Sequence, residues 1–177
     1  MPNRTFLPLS LFPPYPRGSE VYTIRSPSSF PPLLEIHVYV RELTKRRYRG
    51  KKPKEIRGPD DVVALVGKRL TKEAREHFLV LILNARHECL GYEVVSIGSL
   101  NASIVHPREV FKPALLASAA SVVLVHNHPS GDPEPSEEDL TITKRLVECG
   151  ELLGIGVLDH VIVASRGVIS FRSRQLL

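Results

Sequence analysis

Short apolar runs alternate with helix-like segments along most of the chain after about residue 58. HFLVLILN (residues 77–84) is an almost uninterrupted apolar run, which is typical of a strand covered on both faces. SVVLVH (residues 121–126) has the same character and predicts a second buried strand. These runs indicate a central sheet enclosed by helices.

The helical segments begin at recognisable start signals. PDDVVALVGKRL opens with Pro59 and two aspartates, which favours a helix start. HPREVFKPALLASAA predicts a helix from Pro107, with Pro113 either kinking it or beginning a second piece. The other predicted elements are strands at residues 89–98, 156–165 and 167–171 and a helix at residues 137–154. The order helix, strand, strand, helix, strand, helix, strand, strand predicts an α/β sandwich with a mixed sheet.

The first part of the chain has a different character. Residues 1–32 contain eight of the fifteen prolines and show no periodicity, so we predict a flexible, proline-rich arm there. LLEIHVYVREL (residues 33–43) alternates well enough to predict a strand, and a basic segment follows it. The predicted organisation is therefore an arm at 1–32, a strand plus basic segment at 33–57, and a compact domain at 58–177.

Composition narrows the class of protein. The chain has 177 residues, 42% of them hydrophobic and 24% charged, as in an ordinary soluble domain. Apolar stretches fall short of the roughly 20 residues that a membrane helix needs, and prolines interrupt any signal-peptide pattern, so we expect a cytoplasmic protein without membrane contact. Cys89 and Cys149 form no CxxC pair, which argues against a disulfide framework and against thiolate-bound zinc.

Positive charge is concentrated in one segment. The chain carries a net charge of +5, whereas KRRYRGKKPKEIR, from Lys45 to Arg57, has eight basic residues and one acidic residue, a net +7. Such a cluster around Tyr48 can contact the phosphates of a nucleic acid. It can equally be a solvated basic loop, and both interpretations remain open.

The candidate chemistry lies in HNHPSGDPEPSEED (residues 126–139), directly after a buried strand. Alternation along a strand points His126 and His128 to the same side, at the carboxyl end where α/β sheets usually place their sites. Two neutral imidazoles suit zinc, and a catalytic zinc needs one more protein ligand and an open position, so Asp139 is the best third ligand. The alternative is structural: Ser136 and Asp139 have the spacing of a helix capping box, although a capping Ser136 can still face a metal.

This set of residues resembles a known motif. His126-x-His128, seven residues, Ser136, two residues and Asp139 match the pattern of the JAMM (MPN+) zinc metallohydrolases, and LNASIVHPREVFKPAL and HNHPSGDPEPSEEDL resemble its RadC branch. The resemblance extends over residues 58–177. It implies a cytidine-deaminase-like α/β/α sandwich with a mixed central sheet, a zinc ion held by His126, His128 and Asp139, and help from Ser136 in holding an oxyanion.

The resemblance also implies a glutamate at the start of the first core strand. Glu76 immediately precedes HFLVLILN and is the residue we favour as general base. Glu93, in the following strand, is its rival. For either residue, the structural alternative is an ordinary surface carboxylate at a strand edge.

The implied reaction is hydrolysis of an amide or isopeptide bond in a polypeptide or another amide-containing substrate. Zinc lowers the pKa of a coordinated water to about 7, and Glu76 would accept a proton from that water and donate it to the leaving amine. The competing function is a nucleic-acid-binding accessory protein of the DNA-repair type, with a structural or vestigial zinc site. A nucleobase deaminase on the similar fold is excluded because H-x-E and P-C-x-x-C are both missing.

Overall fold

A computed structural model of the chain describes residues 54–98 and 105–177, together with the backbone of two strands at 19–24 and 36–41. The chain divides into two compact units, residues 1–45 and 46–177. The first unit contains the two isolated strands, and the second contains the predicted sheet and helices.

The strands of the first unit form an antiparallel pair. β1 (Ser19–Ile24) pairs with β2 (Ile36–Arg41). β2 confirms the strand predicted within residues 33–43. β1 lies within residues 1–32, and its sequence SEVYTI carries valine, tyrosine, threonine and isoleucine, which favour extended backbone despite the surrounding prolines. The predicted flexibility of the arm concerns positions outside the described residues.

A helical run opens the described part of the second unit. It consists of α1 (Pro59–Val62), a π-helical turn (Val63–Gly67) and α2 (Lys68–Leu70), so the predicted helix is confirmed in extent but widens at its centre. A Cβ atom on Gly67 would lie 2.8 Å from Cγ1 of Val63. Glycine therefore lets Val63 pack over the next turn within the wider π geometry.

Five strands form the mixed sheet of the second unit. They are β3 (His77–Leu83), β4 (Cys89–Ile97), β5 (Ser121–His128), β6 (Gly156–Ala164) and β7 (Gly167–Ser170). Their order is β4-β3-β5-β6-β7, with β5 and β6 parallel and the other neighbours antiparallel. The predicted mixed α/β sheet is therefore confirmed.

Helices cover both faces of this sheet, which gives the α/β/α sandwich. The helical run from α1 to α2 packs on one face, and α3 (Pro107–Leu116) and α4 (Glu137–Leu153) pack on the other. Alternation along β3 divides its side chains between the two layers. The first layer buries Val62, Val66, Leu70, Leu79, Leu81 and Val125, and the second buries Phe78, Val80, Val110, Phe111, Ile142 and Leu146. Each of these apolar side chains contributes about 1.5–3 kcal/mol when fully buried.

The ends of α3 and α4 follow ordinary capping rules. His106 caps α3 because its Nδ1 accepts a hydrogen bond from the backbone N–H of Arg108, and Pro113 lies inside the helix without starting a second one. Gly154 caps the C-terminal end of α4, and its φ of 68° favours glycine. Within the described residues, the helices lack the length and apolar character that crossing a membrane requires.

Candidate metal centre

The two histidines of the HNH motif lie at the carboxyl end of the central strand. β5 runs between β3 and β6, so His126 is completely buried and lies opposite Phe78 of β3 and Ile162 of β6. The ring of Phe78 stacks on that of His126 with centroids 6.0 Å apart. The period of two along a strand then places His128 on the same face, towards α4.

The first turn of α4 orients the carboxylate of Asp139. Asp139 Oδ2 accepts hydrogen bonds from the backbone N–H of Ser136 at 2.8 Å and from its hydroxyl at 2.7 Å. The hydroxyl oxygen of Ser136 in turn accepts from the Asp139 N–H at 3.1 Å. The predicted capping box is therefore present. It holds one carboxylate oxygen and leaves Oδ1 directed at His126.

The three predicted ligands converge. Nε2 of His126 lies 3.2 Å from Asp139 Oδ1, and Nε2 of His128 lies 3.4 Å from Asp139 Oδ2. The two Nε2 atoms are 2.9 Å apart, and all three ligand atoms lie within 4.8 Å of one another. Only the side chain of His128 is appreciably exposed, at 12%, so the cluster opens towards solvent beside this residue.

The hydrogen-bonding capacity of these groups fits a metal ion. Nδ1 of His128 lies 2.7 Å from the backbone oxygen of Asp132, which can only accept, so Nδ1 carries the proton. Nδ1 of His126 is engaged by His160 at 2.8 Å. Both Nε2 atoms are therefore available to the cluster, where they meet a carboxylate. Two imidazoles and a carboxylate are a donor set that binds divalent metal ions.

The charges in the cluster are also consistent with a bound cation. Burial alone would raise the pKa of Asp139, but its contacts with the two histidines and with Ser136 hold that pKa far below its usual range. Burial lowers the pKa of His126, whereas the hydrogen bond to Asp139 raises the pKa of His128. The carboxylate is therefore ionised, and its compensating charge comes from a protonated His128 or from a bound cation.

Comparison with known proteins identifies the domain that carries this cluster. The family described as RadC-like JAB domain matches residues 56–176, which include the whole five-stranded sheet. The chain belongs to this family. The resemblance drawn from the HNH motif is thereby confirmed, and the matched range is close to the compact domain predicted at 58–177.

Several proteins are similar to this RadC-like domain. A UPF0758 protein of Desulforamulus reducens is 55% identical over 122 residues, covering 69% of this chain and 54% of the relative. A UPF0758 protein of Methanosarcina acetivorans is 56% identical over 119 residues, covering 67% of this chain and 52% of the relative. The chain thus spans about half the length of the curated relatives that it matches.

Glu76 lies beside the candidate metal-binding cluster of the RadC-like domain. It is half-buried immediately before β3, the strand that pairs with β5, and its negative charge is near enough to interact with both His126 and His128. Glu93, its rival, is exposed on β4 opposite Val80, and β3 separates β4 from the strand of the histidines.

Asn127 holds the backbone around Glu76 in place. This residue lies between the two histidines of β5, and its side chain points to the opposite face of the strand. Its Oδ1 accepts from the His77 N–H at 2.8 Å, and its Nδ2 donates to the backbone oxygen of Arg75 at 3.0 Å. β5 therefore carries the two candidate ligands on one face and holds the backbone on either side of Glu76 from the other.

Sequence reasoning missed two polar residues behind the cluster. His160 on β6 is completely buried, and its Nε2 lies 2.8 Å from Nδ1 of His126. Thr143, one turn after Asp139 on α4, contacts His160. The spacing of four residues was a signal that Asp139 and Thr143 share a helix face.

Most of the basic segment lies outside the described residues. In its described end, Lys54 forms an ion pair with Asp61 at 3.0 Å, and Arg57 forms one with Glu55 at 2.8 Å. These pairs reduce the positive charge available to a nucleic acid there. Nucleic-acid binding through residues 45–57 stays a prediction.

Proposed function

We propose that this RadC-like domain is a zinc-dependent metallohydrolase that cleaves an amide or isopeptide bond in a polypeptide or another amide-containing substrate. The observation that carries the proposal is the convergence of His126, His128 and Asp139, with one side open at His128. Three protein ligands and an open fourth position are typical of catalytic zinc. Zinc held there would polarise the substrate carbonyl and lower the pKa of a water molecule.

Glu76 acts in this proposal as general base and then as general acid. Its carboxylate is near enough to interact electrostatically with both histidines, and hydrogen bonds with Asn127 fix the adjoining backbone. It accepts a proton from the attacking water and donates it to the leaving amine. Exposure on β4 makes Glu93 the weaker candidate.

Ser136 stabilises the developing oxyanion in this proposal. Its oxygen accepts the hydrogen bond that caps α4, while its hydrogen is donated to Asp139 Oδ2. Rotation of the hydroxyl can redirect that hydrogen to a substrate oxygen without loss of the cap. The carboxylate then keeps the Ser136 backbone N–H as its donor.

Metal analysis provides the first test. Protein purified with zinc present is compared with the His126→Ala, His128→Ala double variant, and we expect stoichiometric zinc only in the unmodified protein. Equal zinc contents in the two proteins would contradict the proposal.

Substitution of the two glutamates tests the chemistry. Cleavage is measured by mass spectrometry on a peptide library that includes isopeptide-linked lysines. We expect Glu76→Gln to retain zinc and lose cleavage, and Glu93→Gln to retain both. Loss of cleavage only in Glu93→Gln would show that the general base is misassigned. Steeply salt-dependent DNA binding without cleavage would instead favour the nucleic-acid role.

A further inference from the structure

We propose that His160 and Thr143 are positioning residues that fix the tautomer of His126 required for metal binding. This inference rests on the proposed function, because it concerns the same metal site. It assigns a role to two buried side chains that do not contact the metal-binding position themselves.

The residues form a continuous chain of contacts behind the cluster. His160 is completely buried on β6, and its Nε2 lies 2.8 Å from Nδ1 of His126 on the parallel neighbour β5. On the other side of the ring, Nδ1 of His160 contacts Oγ1 of Thr143 at 2.5 Å. Thr143 Oγ1 also contacts the backbone oxygen of Asp139 at 2.5 Å.

The direction of each hydrogen bond follows from one carbonyl group. The backbone oxygen of Asp139 can only accept, so the single hydroxyl hydrogen of Thr143 is donated to it. Thr143 Oγ1 must then accept from the Nδ1–H of His160. A neutral imidazole has one N–H, so Nε2 of His160 accepts from Nδ1–H of His126. This leaves the lone pair of His126 on Nε2, the atom that faces Asp139.

The surroundings of His160 keep its ring neutral. Phe78 lies edge-on at a centroid distance of 5.4 Å, and Phe171 lies on another side at 4.6 Å. Burial among such rings disfavours an imidazolium ion. The ring of His160 therefore has one donor nitrogen and one acceptor nitrogen. The hydrogen bond to Thr143 determines that Nδ1 is the donor and Nε2 the acceptor.

The chain connects two metal ligands through the fold. It starts at the backbone oxygen of Asp139, passes through Thr143 and His160, and ends at His126. Without the Thr143 acceptor, His160 can place its hydrogen on Nε2 and donate to His126, which would move the His126 hydrogen to Nε2. A hydrogen on Nε2 blocks coordination, so the tautomer controls the affinity for the metal.

A matched pair of variants tests the inference. Thr143→Val keeps the volume and removes the acceptor, whereas Thr143→Ser keeps the hydroxyl. Zinc dissociation constants of the full chain are measured by competition with a chromophoric chelator. We expect Thr143→Val to weaken zinc binding about 10–100-fold and Thr143→Ser to change it by less than about threefold.

Substitutions of His160 give an independent comparison. His160→Leu removes the acceptor for His126, whereas His160→Gln supplies an amide oxygen, so we expect the glutamine variant to bind zinc more tightly than the leucine variant. Ser170→Ala serves as a control, because it removes a different buried hydroxyl, which donates to Asp159 at 2.6 Å. A merely structural role predicts that all these variants lose stability without a selective loss of zinc affinity.

Nuclear magnetic resonance of the histidine ring nitrogens reads the tautomer directly, in metal-free and zinc-bound protein. We expect a protonated Nδ1 on His126 in the unmodified chain and in Thr143→Ser, and its loss in metal-free Thr143→Val. Unchanged zinc affinity in Thr143→Val, or a protonated Nε2 on His126 in the unmodified chain, would overturn the inference. Failure of the unmodified chain to bind zinc would contradict the proposed function. The ring-nitrogen resonances of His126 in the metal-free protein would still identify its tautomer and so test the inference separately.

Discussion

Replacement of Asn127 by alanine separates the positioning of Glu76 from the binding of metal. The Asn127 side chain is 1% exposed and joins β5 to the segment that precedes β3. It accepts from the His77 N–H at 2.8 Å and donates to the backbone oxygens of Arg75 at 3.0 Å and Glu73 at 3.4 Å. Alanine removes all three hydrogen bonds and leaves the buried strand otherwise intact.

The expected cost can be worked out from these contacts. The two shorter bonds contribute about 1 kcal/mol each, and the half-buried His77 N–H left without a partner adds about 1–2 kcal/mol. We therefore expect the free energy of unfolding to fall by about 3–4 kcal/mol. Loss of the anchor also displaces Glu76 from the cluster, and a displacement of about 1 Å can lower a catalytic rate about 100-fold.

The assays follow stability, zinc affinity and cleavage in the same variant. Urea unfolding gives the free-energy change, and chelator competition gives zinc affinity, which we expect to stay within about threefold because Asn127 contacts none of the ligands' side chains. Asn84→Ala is the matched control. Asn84 accepts from the N–H groups of Arg86 at 2.9 Å and Glu88 at 3.0 Å in the turn between β3 and β4, at the other end of β3.

The Asn84→Ala control should lose stability and keep its cleavage activity. For Asn127→Ala, a change below about 0.5 kcal/mol in the free energy of unfolding would refute the hydrogen-bond argument. Unchanged cleavage would refute the positioning argument. Zinc loss as complete as in the double histidine variant would show that Asn127 supports the ligands rather than Glu76.

Further predictions concern pH, a loop glycine and a buried thiol. Asp139 raises the pKa of His128, and protons compete with zinc for this residue below that raised pKa. The zinc dissociation constant should therefore rise as the pH falls through the pKa. A zinc dissociation constant that stays the same across a pH series of chelator competitions would contradict this. Gly131→Ala should lose about 1–2 kcal/mol in urea unfolding, because its φ is 84° and a Cβ would lie 2.6 Å from Ser165 Oγ. Gly156→Ala, in open space, should change stability by less than about 0.5 kcal/mol, and equal losses would refute the account. Burial raises the pKa of Cys89, so iodoacetamide should modify it more slowly than the more exposed Cys149 in folded protein, and equal rates on peptide mapping would count against this.

Local patterns in the sequence predicted most elements of the second unit. Apolar runs such as HFLVLILN reflect burial on both faces, and Pro59 and Ser136 mark helix starts that the structure confirms. β1 was missed because SEVYTI is short and lies among prolines. The π-helical turn depends on how Val63 packs over Gly67. The spacing of apolar residues along the sequence does not reveal this packing.

Convergence of the candidate metal ligands could be predicted because the motif spans one strand, one loop and one helix start. His126 and His128 share a strand face, and Asp139 follows after a short loop. The contact between His126 and His160 depends on β6 lying parallel to β5. Strand order arises from long-range pairing, so spacing along the chain could not predict that contact.

A single carboxylate both caps the start of α4 and completes the candidate ligand set. Oδ2 of Asp139 holds the Ser136 backbone N–H, while Oδ1 faces His126. An ion that coordinates Oδ1 would also restrain Oδ2, because both oxygens belong to the same carboxylate. Formation of the first turn of α4 and occupancy of the metal site would therefore be thermodynamically coupled. Fraying of the first turn should become rarer when the ion is bound, and slower deuterium uptake by its amides would then report occupancy without any substrate.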